Sequence, residues 1–301
     1  MCLHNKNTIQ NCLFCKVKTK NISFLVKYPY NFYEMKKKLI FSDIDGTLYC
    51  SDFEISRETN EYIKKNKDNF ILVLNTGNPL SSRIYQVAKS LEIKYLITSN
   101  GALFSDLESE NHQLINGTIS IESQKFVFEI AKKLDMQLNF WNKEKYFSFN
   151  TKPQYWTFFS YPHLNPEKEV VFTDSVQENV IKLELIGTQS QIEKAYKILE
   201  KNQDLEAILI KNLSIEISKK GTNKGNAIEF VCKLFGYEQN EVMTIGDSAN
   251  DLSMLERTKF SYAMANSNDL VKKVAKLNTS ACDQDGLIYA IKDYLYRKKF
   301  D

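Results

Sequence analysis

The sequence lacks the long hydrophobic segments that membrane spans and secretory leaders need. Nowhere do about 18 apolar residues follow one another. The first residues, MCLHNKNTIQNCLFCK, contain no apolar stretch of the kind found in a secretory signal. These absences predict a soluble, cytoplasmic protein with no membrane partner.

The chain also lacks a large excess of charge of either sign. It has 40 Lys and Arg side chains against 37 Asp and Glu side chains, a formal charge of +3. A field this weak gives no argument for a nucleic-acid partner. Basic clusters such as Lys36-Lys37-Lys38 are therefore predicted to be solvated surface.

Cysteine is too scattered for a disulfide framework. The chain has six cysteines in 301 residues, and Cys50, Cys232 and Cys282 each stand alone. This usage predicts reduced cysteines in a reducing compartment.

What the sequence does contain is an alternation of short apolar runs and amphipathic stretches. The apolar runs end in polar or glycine residues and indicate buried strands at 39–42, 70–74, 95–97 and 242–245. Amphipathic stretches of helical length, such as 82–91 and 223–235, lie between them. The alternation predicts an α/β fold with a Rossmann-like parallel sheet, in which a ligand lies beyond the carboxyl ends of the strands.

The alternation breaks between residues 105 and 213 and then resumes, which predicts an inserted domain. Segments 180–186 and 205–210 are predicted strands and 189–201 a predicted helix, so the insert should be a small α+β layer. The expected organisation is an amino-terminal extension at 1–35, a core made of 36–104 and 214–301, and an inserted cap at 105–213.

Two carboxylates follow the first predicted strand at a spacing of two residues. In the segment DIDGT, the geometry of an extended chain sends Asp43 and Asp45 to the same side. Two like charges at close range are costly unless a cation lies between them, and hard oxygen ligands favour Mg²⁺. The structural alternative is an acidic turn in which Gly46 supplies the bend.

A second acidic segment, GDSAND, follows the predicted strand at 242–245. It supplies Asp247, Asn250 and Asp251 as candidate site residues. Asp and Ser also favour helix N-caps, so a purely structural role is the alternative.

Two further features suit an anion. Lys224 opens a predicted helix, where the helix dipole disfavours a cation unless an anion has to be held nearby. Thr76 and Gly77 end the second strand and offer a hydroxyl and an unobstructed backbone N–H for a phosphate oxygen. A strand-end Thr-Gly is also common without any ligand.

The order and context of these elements resemble the haloacid dehalogenase superfamily, in particular its Cof-type sugar-phosphate phosphatases, over residues 36–301. The segments that match motifs I to IV in order are Asp43-Ile44-Asp45-Gly46-Thr47, Thr76-Gly77, Lys224 and the GDSAND run. Two further family positions are matched by Asn100-Gly101-Ala102 and Asp285-Gly286. An insert between motifs II and III is what the family calls a C2-type cap. Relatives often have arginine where this chain has Asn78, which puts that arginine's contact in doubt.

The resemblance implies a Mg²⁺-dependent phosphoric monoester hydrolase that acts on a small phosphorylated molecule through an aspartyl-phosphate. It implies that Asp43 is the nucleophile and Asp45 the general acid and base. The implied metal ligands are Asp43, Asp45 and Asp247, with Asp251 supporting them. The implied phosphate contacts are Ile44, Thr76, Gly77, Lys224 and Asn250.

The cap is expected to close over the site and select the substrate. Its aromatic run offers Tyr155, Trp156 and Tyr161 either as substrate contacts or as cap core. Two other functions stay open: a phosphomutase or phosphotransferase, and a non-catalytic regulatory protein that binds a phosphorylated metabolite. Two intact carboxylates argue against the second. The oligomeric state is open as well.

The amino-terminal extension holds a second candidate metal set. Cys2, His4, Cys12 and Cys15 supply four ligands, and the second pair has the spacing of a zinc knuckle. The alternatives are a structural Zn²⁺ in a docking module and a tail with reduced cysteines.

Overall fold

The computed structural model describes residues 36–50, 53–155, 166–210 and 214–298. The strands are β1 Lys38–Ser42, β2 Phe70–Asn75, β3 Tyr95–Thr98, β4 Leu103–Asp106, β5 Asn111–Leu114, β6 Gln137–Trp141, β7 Tyr146–Phe149, β8 Val170–Phe172, β9 Lys182–Ile186, β10 Leu205–Ile210, β11 Ser214–Lys219, β12 Met243–Gly246, β13 Phe260–Ala263 and β14 Leu277–Asn278. The helices are α1 Arg57–Lys65, α2 Ser82–Ser90, α3 Ile121–Lys133, α4 Pro166–Glu169, α5 Gln189–Leu199, α6 Lys224–Phe235, α7 Leu252–Leu255, α8 Asp269–Val274 and α9 Gly286–Arg297. Within these ranges, every helix is too short or too polar to span a bilayer.

The larger of two sheets has eight strands in the order β14-β13-β12-β1-β2-β3-β4-β5. The pairs from β14 to β3 are parallel, and β4 and β5 extend the edge as an antiparallel hairpin. The four strands predicted from apolar runs correspond to β1, β2, β3 and β12. The prediction of an α/β fold with a parallel core is therefore confirmed.

This sheet is apolar on both faces because helices cover both. In β1, Ile40 packs in the core lined by α1, α2 and α9, whereas Leu39 and Phe41 pack in the core lined by α6, α7 and α8. Alternate side chains of one strand thus enter opposite cores. In β1 and β2 the polar side chains lie at the strand ends, and the candidate site lies at the carboxyl ends of these strands.

The smaller sheet, which we call the cap sheet, has the order β10-β11-β9-β6-β7-β8 and is antiparallel except for β7 with β8. One face is apolar and packs against α3 and α5. The opposite face is polar and nevertheless buried; it carries Gln137, Asn139, Lys182, Glu184 and Ser214. An inserted α+β cap is confirmed, including the strand at 205–210 as β10.

The chain changes sheets later than the predicted junctions at 104/105 and 213/214. The polar residues 106–113 include most of the β4–β5 hairpin, which belongs to the larger sheet. Strand β11, predicted to start the second half of the core, pairs with β9 and β10 of the cap sheet. Polar composition suggested an insert at 106–113 because β5 is an exposed edge strand, where polar residues are expected.

The expectation that the scattered cysteines stay unpaired is wrong for two of them. Cys50 and Cys282 form a disulfide across a sequence separation of 232 residues. The fold brings the loop after β1 beside the turn before α9, which spacing along the chain could not reveal. Cys232 is buried and is not part of this disulfide. The pairing removes cysteine usage as an argument for a reducing compartment.

Candidate active site

The carboxyl ends of three neighbouring parallel strands bring the predicted site residues together. Asp43 follows β1, Thr76 follows β2 and Asp247 follows β12. These ends are adjacent because β1 lies between β2 and β12. Lys224 reaches the same edge as the first residue of α6, whose N-cap is Asn223.

A buried lysine joins two buried carboxylates at the centre of this edge. Nζ of Lys224 lies 2.5 Å from Oδ1 of Asp43 and 2.7 Å from Oδ1 of Asp251. All three side chains are buried. Burial acts to lower the pKa of Lys224, but the charges of Asp251 and Asp43 outweigh it and raise the pKa, so the ammonium stays charged.

Asp251 is bound on both of its oxygens. Its Oδ2 accepts hydrogen bonds from the backbone N–H groups of Asp247 and Ser248, each at 2.9 Å. Ser248 and Asp251 also cap the 3-10 turn at 249–251, so the capping alternative applies to this residue too. With both oxygens engaged, Asp251 orients Lys224 and the loop, which suits the supporting position implied for it.

Negative charge exceeds positive charge at this edge. Asp43, Asp247 and Asp251 place carboxylate oxygens within 4.8 Å of one another. Burial, followed by the charge of Asp251, raises the pKa of Asp43 well above its usual range, although Lys224 acts to lower it and Asp45 adds to the repulsion. A divalent cation would relieve this repulsion, and hard carboxylate oxygens suit Mg²⁺. The donor set therefore fits the predicted ion.

Gly46 lets the loop after β1 approach Asp247. Its φ of 85° favours glycine, and a Cβ at this position would collide with the Asp247 carboxylate. Oγ1 of Thr47 donates to Oδ1 of Asp247 at 3.3 Å. The bend at Gly46 thus serves the acidic site, so the structural and functional interpretations of this glycine coincide.

A neutral amide holds the carboxylate of Asp45. Nδ2 of Asn78 donates to Oδ2 of Asp45 at 2.6 Å. Asn78 is the position where relatives often have arginine. A neutral donor fixes the direction of the carboxylate without placing a permanent positive charge beside it. The sequence showed that Asn78 replaces the arginine of relatives, but it did not predict the hydrogen bond of Asn78 to Asp45.

The β2 loop, residues 76–78, has a polar lining. The backbone N–H of Asn78 donates to Oγ1 of Thr76 at 3.1 Å, so the hydroxyl proton can be donated to another group. Nδ2 of Asn250 lies across from this loop and donates to Oδ1 of Asn100 at 3.3 Å. The side chain of Ile44 is in the apolar core, so any ligand contact must come from its backbone.

Two residues of the cap sheet reach this site and were not predicted. Nζ of Lys182 donates to the carbonyl oxygen of Gly77 and pairs with Oε1 of Glu216, each at 2.7 Å. Glu216 in turn accepts hydrogen bonds from the side-chain amides of Asn100 and Asn250. The available signal was the presence of charged residues inside two apolar runs, VIKLELI and LSIEIS. Which face of those strands meets the core is not encoded in that signal.

Asp285, at the late Asp-Gly position, contacts the start of α1. Its Oδ1 accepts hydrogen bonds from Oγ of Ser56 at 2.5 Å and from Oγ1 of Thr59 at 3.0 Å. Ser56 is the N-cap of α1. Asp285 therefore ties the start of α1 to the start of α9.

Three predicted features lie outside the site or outside the described residues. Tyr155 is half-buried in the 3-10 turn Pro153–Tyr155 of the cap. The remaining positions fall outside the described ranges, so the zinc site and the aromatic substrate contacts stay predictions; they are Cys2, His4, Cys12, Cys15, Trp156 and Tyr161.

Taken together, these features define a class of α/β protein with a Rossmann-like sheet, an inserted cap and an acidic site at the carboxyl ends of its strands. A sequence profile of haloacid dehalogenase-like hydrolases matches residues 40–291, and the chain belongs to this family. The family resemblance and the expectation of an enzyme are confirmed.

This chain aligns with its relatives over nearly the whole of their length. The 5-amino-6-(5-phospho-D-ribitylamino)uracil phosphatase YcsE of Bacillus subtilis (strain 168) is 27% identical over 261 residues, which cover 86% of this chain and 96% of the relative. A haloacid dehalogenase-like hydrolase from Bacteroides thetaiotaomicron has a TM-score of 0.73 at 23% identity, with 86% and 99% covered. The HAD subclass IIB sugar phosphatase BT4131 has a TM-score of 0.74 at 23% identity, with the same coverage. These solved structures share the fold of the chain.

Proposed function

We propose that this protein is a Mg²⁺-dependent phosphatase that hydrolyses a small phosphorylated metabolite, a sugar phosphate or a similar ester, through an aspartyl-phosphate on Asp43. The observation that carries the proposal is the buried contact between Lys224 and Asp43. Asp45 follows Asp43 by two residues, and the β2 loop begins at the same edge of the sheet. A nucleophile, an acid and a phosphate-binding cation thus lie together.

In the first step, a carboxylate oxygen of Asp43 attacks phosphorus while the bond from phosphorus to the ester oxygen breaks. Asp45 gives its proton to the departing oxygen, and the alcohol leaves. In the second step, Asp45 takes a proton from a water molecule, and that water attacks the phosphorus of the acyl phosphate. Inorganic phosphate leaves, and the carboxylate of Asp43 is regenerated.

The phosphate oxygens would be received by charged and polar donors around the nucleophile. The ammonium of Lys224 and the hydroxyl of Thr76 supply two of them, and the other donors are the backbone N–H groups of Ile44 and Gly77 and the amide of Asn250. Mg²⁺, held by the Asp43 carboxylate, the Asp45 carbonyl oxygen and Asp247, would neutralise part of the charge on nucleophile and phosphate.

The other two functions make different predictions. A mutase or phosphotransferase would pass the phosphoryl group from Asp43 to an alcohol instead of water, and a regulatory protein would bind a phosphate ester without turnover. The name of YcsE specifies a phosphoribityl substrate for that relative. That name supports a phosphorylated polyol or sugar as the first class of compound to test here.

The test is a screen of phosphorylated metabolites with the purified chain and Mg²⁺, scored by phosphate release and kcat/KM. We expect at least one sugar or polyol phosphate to be hydrolysed, and no release by Asp43→Asn. Phosphoryl transfer to a second metabolite would favour the transferase. Binding of a phosphate ester without turnover by the wild type would reject the phosphatase.

A further inference from the structure

The buried Lys182 and the half-buried Glu216 form an ion pair on the polar face of the cap sheet. Lys182 is opposite Ser218 and Glu216 is opposite Glu184 in the register of β9 and β11, so the pair is diagonal on one face. The two side chains are 1% and 12% exposed, and Nζ lies 2.7 Å from Oε1. Desolvation offsets most of the attraction in such a pair, so it is a weak source of stability.

The second contact of Lys182 is made to the core. Its ammonium, which also lies 5.3 Å from the ring centroid of Trp141, donates to the carbonyl oxygen of Gly77 at 2.7 Å. That carbonyl and the N–H of Asn78 belong to one planar peptide group. The same N–H donates to Oγ1 of Thr76. A cap lysine therefore fixes the peptide that orients the Thr76 hydroxyl.

Glu216 lies beside the same loop and accepts hydrogen bonds from two amides next to it. Its Oε2 accepts hydrogen bonds from the amides of Asn100 and, at 3.4 Å, Asn250. Its Oε1 would lie 3.0 Å from a Cβ at residue 77, so the glycine gives the carboxylate room to approach. Asn100 has a φ of 57°, a conformation that costs energy and is maintained by its surroundings.

We propose that Lys182 and Glu216 are positioning residues that fix the β2 loop and the Asn250 amide for the phosphate group when the cap lies on the core. The inference rests on the proposed function. It means that the cap completes the phosphate site itself, in addition to selecting the rest of the substrate. A contact with the variable part of the substrate would change selectivity, whereas this contact changes the handling of every phosphate ester.

The charge of the pair fits this role. Burial acts to raise the pKa of Glu216, but the charge and hydrogen bond of Lys182 and the amide of Asn100 lower it, so Glu216 stays ionised. One ammonium balances one carboxylate, and the pair therefore adds little net field to a site that must accept an anion. The contacts of the pair are directional, and direction is what a positioning residue supplies.

The experiment replaces both members at once, in the full-length protein with Mg²⁺. In Lys182→Met/Glu216→Met, apolar side chains of similar length replace the ion pair, a change that is often neutral or stabilising. We measure kcat/KM for p-nitrophenyl phosphate and for a hydrolysed sugar phosphate, inhibition by inorganic phosphate, and the thermal unfolding midpoint. The matched control is Lys152→Met, which removes a cap lysine whose ion pair with Asp135 lies within the cap.

We expect kcat/KM to fall by about 10- to 100-fold for both substrates, the range for a displaced reacting geometry. Inhibition by inorganic phosphate should weaken in parallel, while the unfolding midpoint stays near that of the wild type and Lys152→Met behaves as wild type. Wild-type kinetics in the double variant, or a loss confined to one substrate with phosphate inhibition unchanged, would overturn the inference.

If the double variant does not fold, Lys182→Arg and Glu216→Gln decide by the same criteria. Arginine keeps the charge and should retain more activity than Glu216→Gln; equal, full activity in both variants rejects the positioning role. Failure of the proposed function is distinct, because then the wild type itself releases no phosphate from any ester.

Discussion

Asp43 and Glu216 each contact a buried lysine, yet their pKa values move in opposite directions. Asp43, bonded to Lys224, has a raised pKa because burial and the neighbouring carboxylates outweigh the lysine. Glu216, bonded to Lys182, has a lowered pKa because its lysine and an amide outweigh burial. The ion pair alone does not determine the state of the carboxylate; the balance of charge around it does.

The two clusters differ in what they require. The cluster at the sheet edge has more carboxylates than cations and fits a divalent ion. In the cap, Lys182 pairs with Glu216, and the amides of Asn100 and Asn250 bond to the same carboxylate, so the charge of Glu216 is compensated without an ion. This difference separates a site for chemistry from a site for positioning.

Removal of divalent metal should have the largest effect. Excess EDTA is expected to abolish phosphate release, and added Mg²⁺ to restore it, because the acidic edge cannot receive a phosphate anion without compensating charge. The thermal midpoint of the metal-free protein, followed by circular dichroism, shows whether the fold persists. Undiminished turnover in excess EDTA would contradict the comparison of the two clusters.

Asp45→Asn should separate substrates by their leaving groups. Cleavage of an alkyl phosphate should fall by about 100-fold or more, the usual scale for loss of a general acid. An aryl phosphate with an acidic phenol needs no such proton, so a burst of phenol should precede slow turnover. Stopped-flow absorbance and steady-state phosphate release measure the two phases. Equal, wild-type rates for both substrates would refute the role assigned to Asp45.

Asn78→Ala should produce a smaller form of the same pattern. The variant loses the hydrogen bond that aims Asp45, so kcat for the alkyl phosphate should fall by about 10-fold, within the range for a misaligned group. The aryl phosphate should be affected less. Asn142→Ala, a change of a cap asparagine that contacts Glu178, is the control. An equal loss for both substrates would indicate that Asn78 contacts the phosphate instead.

Glu216→Gln should have the smallest effect, seen in stability as a function of pH. The lowered pKa of Glu216 means that its ionised form stabilises the fold above the ordinary glutamate pKa of about 4.3. That stabilisation is lost as pH falls through the folded-state pKa, and glutamine lacks it at every pH. The free energy of unfolding of the wild type should exceed that of the variant by about 1–3 kcal/mol near neutral pH. This difference should narrow on acidification. Urea unfolding at several pH values measures this, and a constant difference would contradict it.

The parallel core was predictable because its strands are buried on both faces and so form continuous apolar runs. The grouping of the site residues was also predictable, because the carboxyl ends of parallel strands meet at one edge of the sheet. Asp43, Thr76 and Asp247 therefore came together as expected. Lys224 was identifiable because a lysine at a helix start has an electrostatic cost unless an anion is present.

The features that were missed depend on contacts between distant segments. Lys182 is 105 residues from its partner Gly77, and Cys50 is 232 residues from Cys282. Neither pairing has a local signature. Residues 105–114, most of the β4–β5 hairpin, were assigned to the cap because an exposed edge strand and a polar insert have similar composition. Asn78 was noticed as a departure, but its bond to Asp45 requires the fold.

The most direct test of the account is to trap the phosphorylated enzyme. Asp45→Asn is mixed with an aryl phosphate and Mg²⁺, quenched in acid during the burst, digested and analysed by mass spectrometry. The variant should form the acyl phosphate but hydrolyse it slowly, because it lacks the base that activates water. We predict added phosphate on the peptide that contains Asp43, and none in Asp43→Asn. Phosphate on another residue, or a phenol burst with no phosphorylated peptide, would contradict the account.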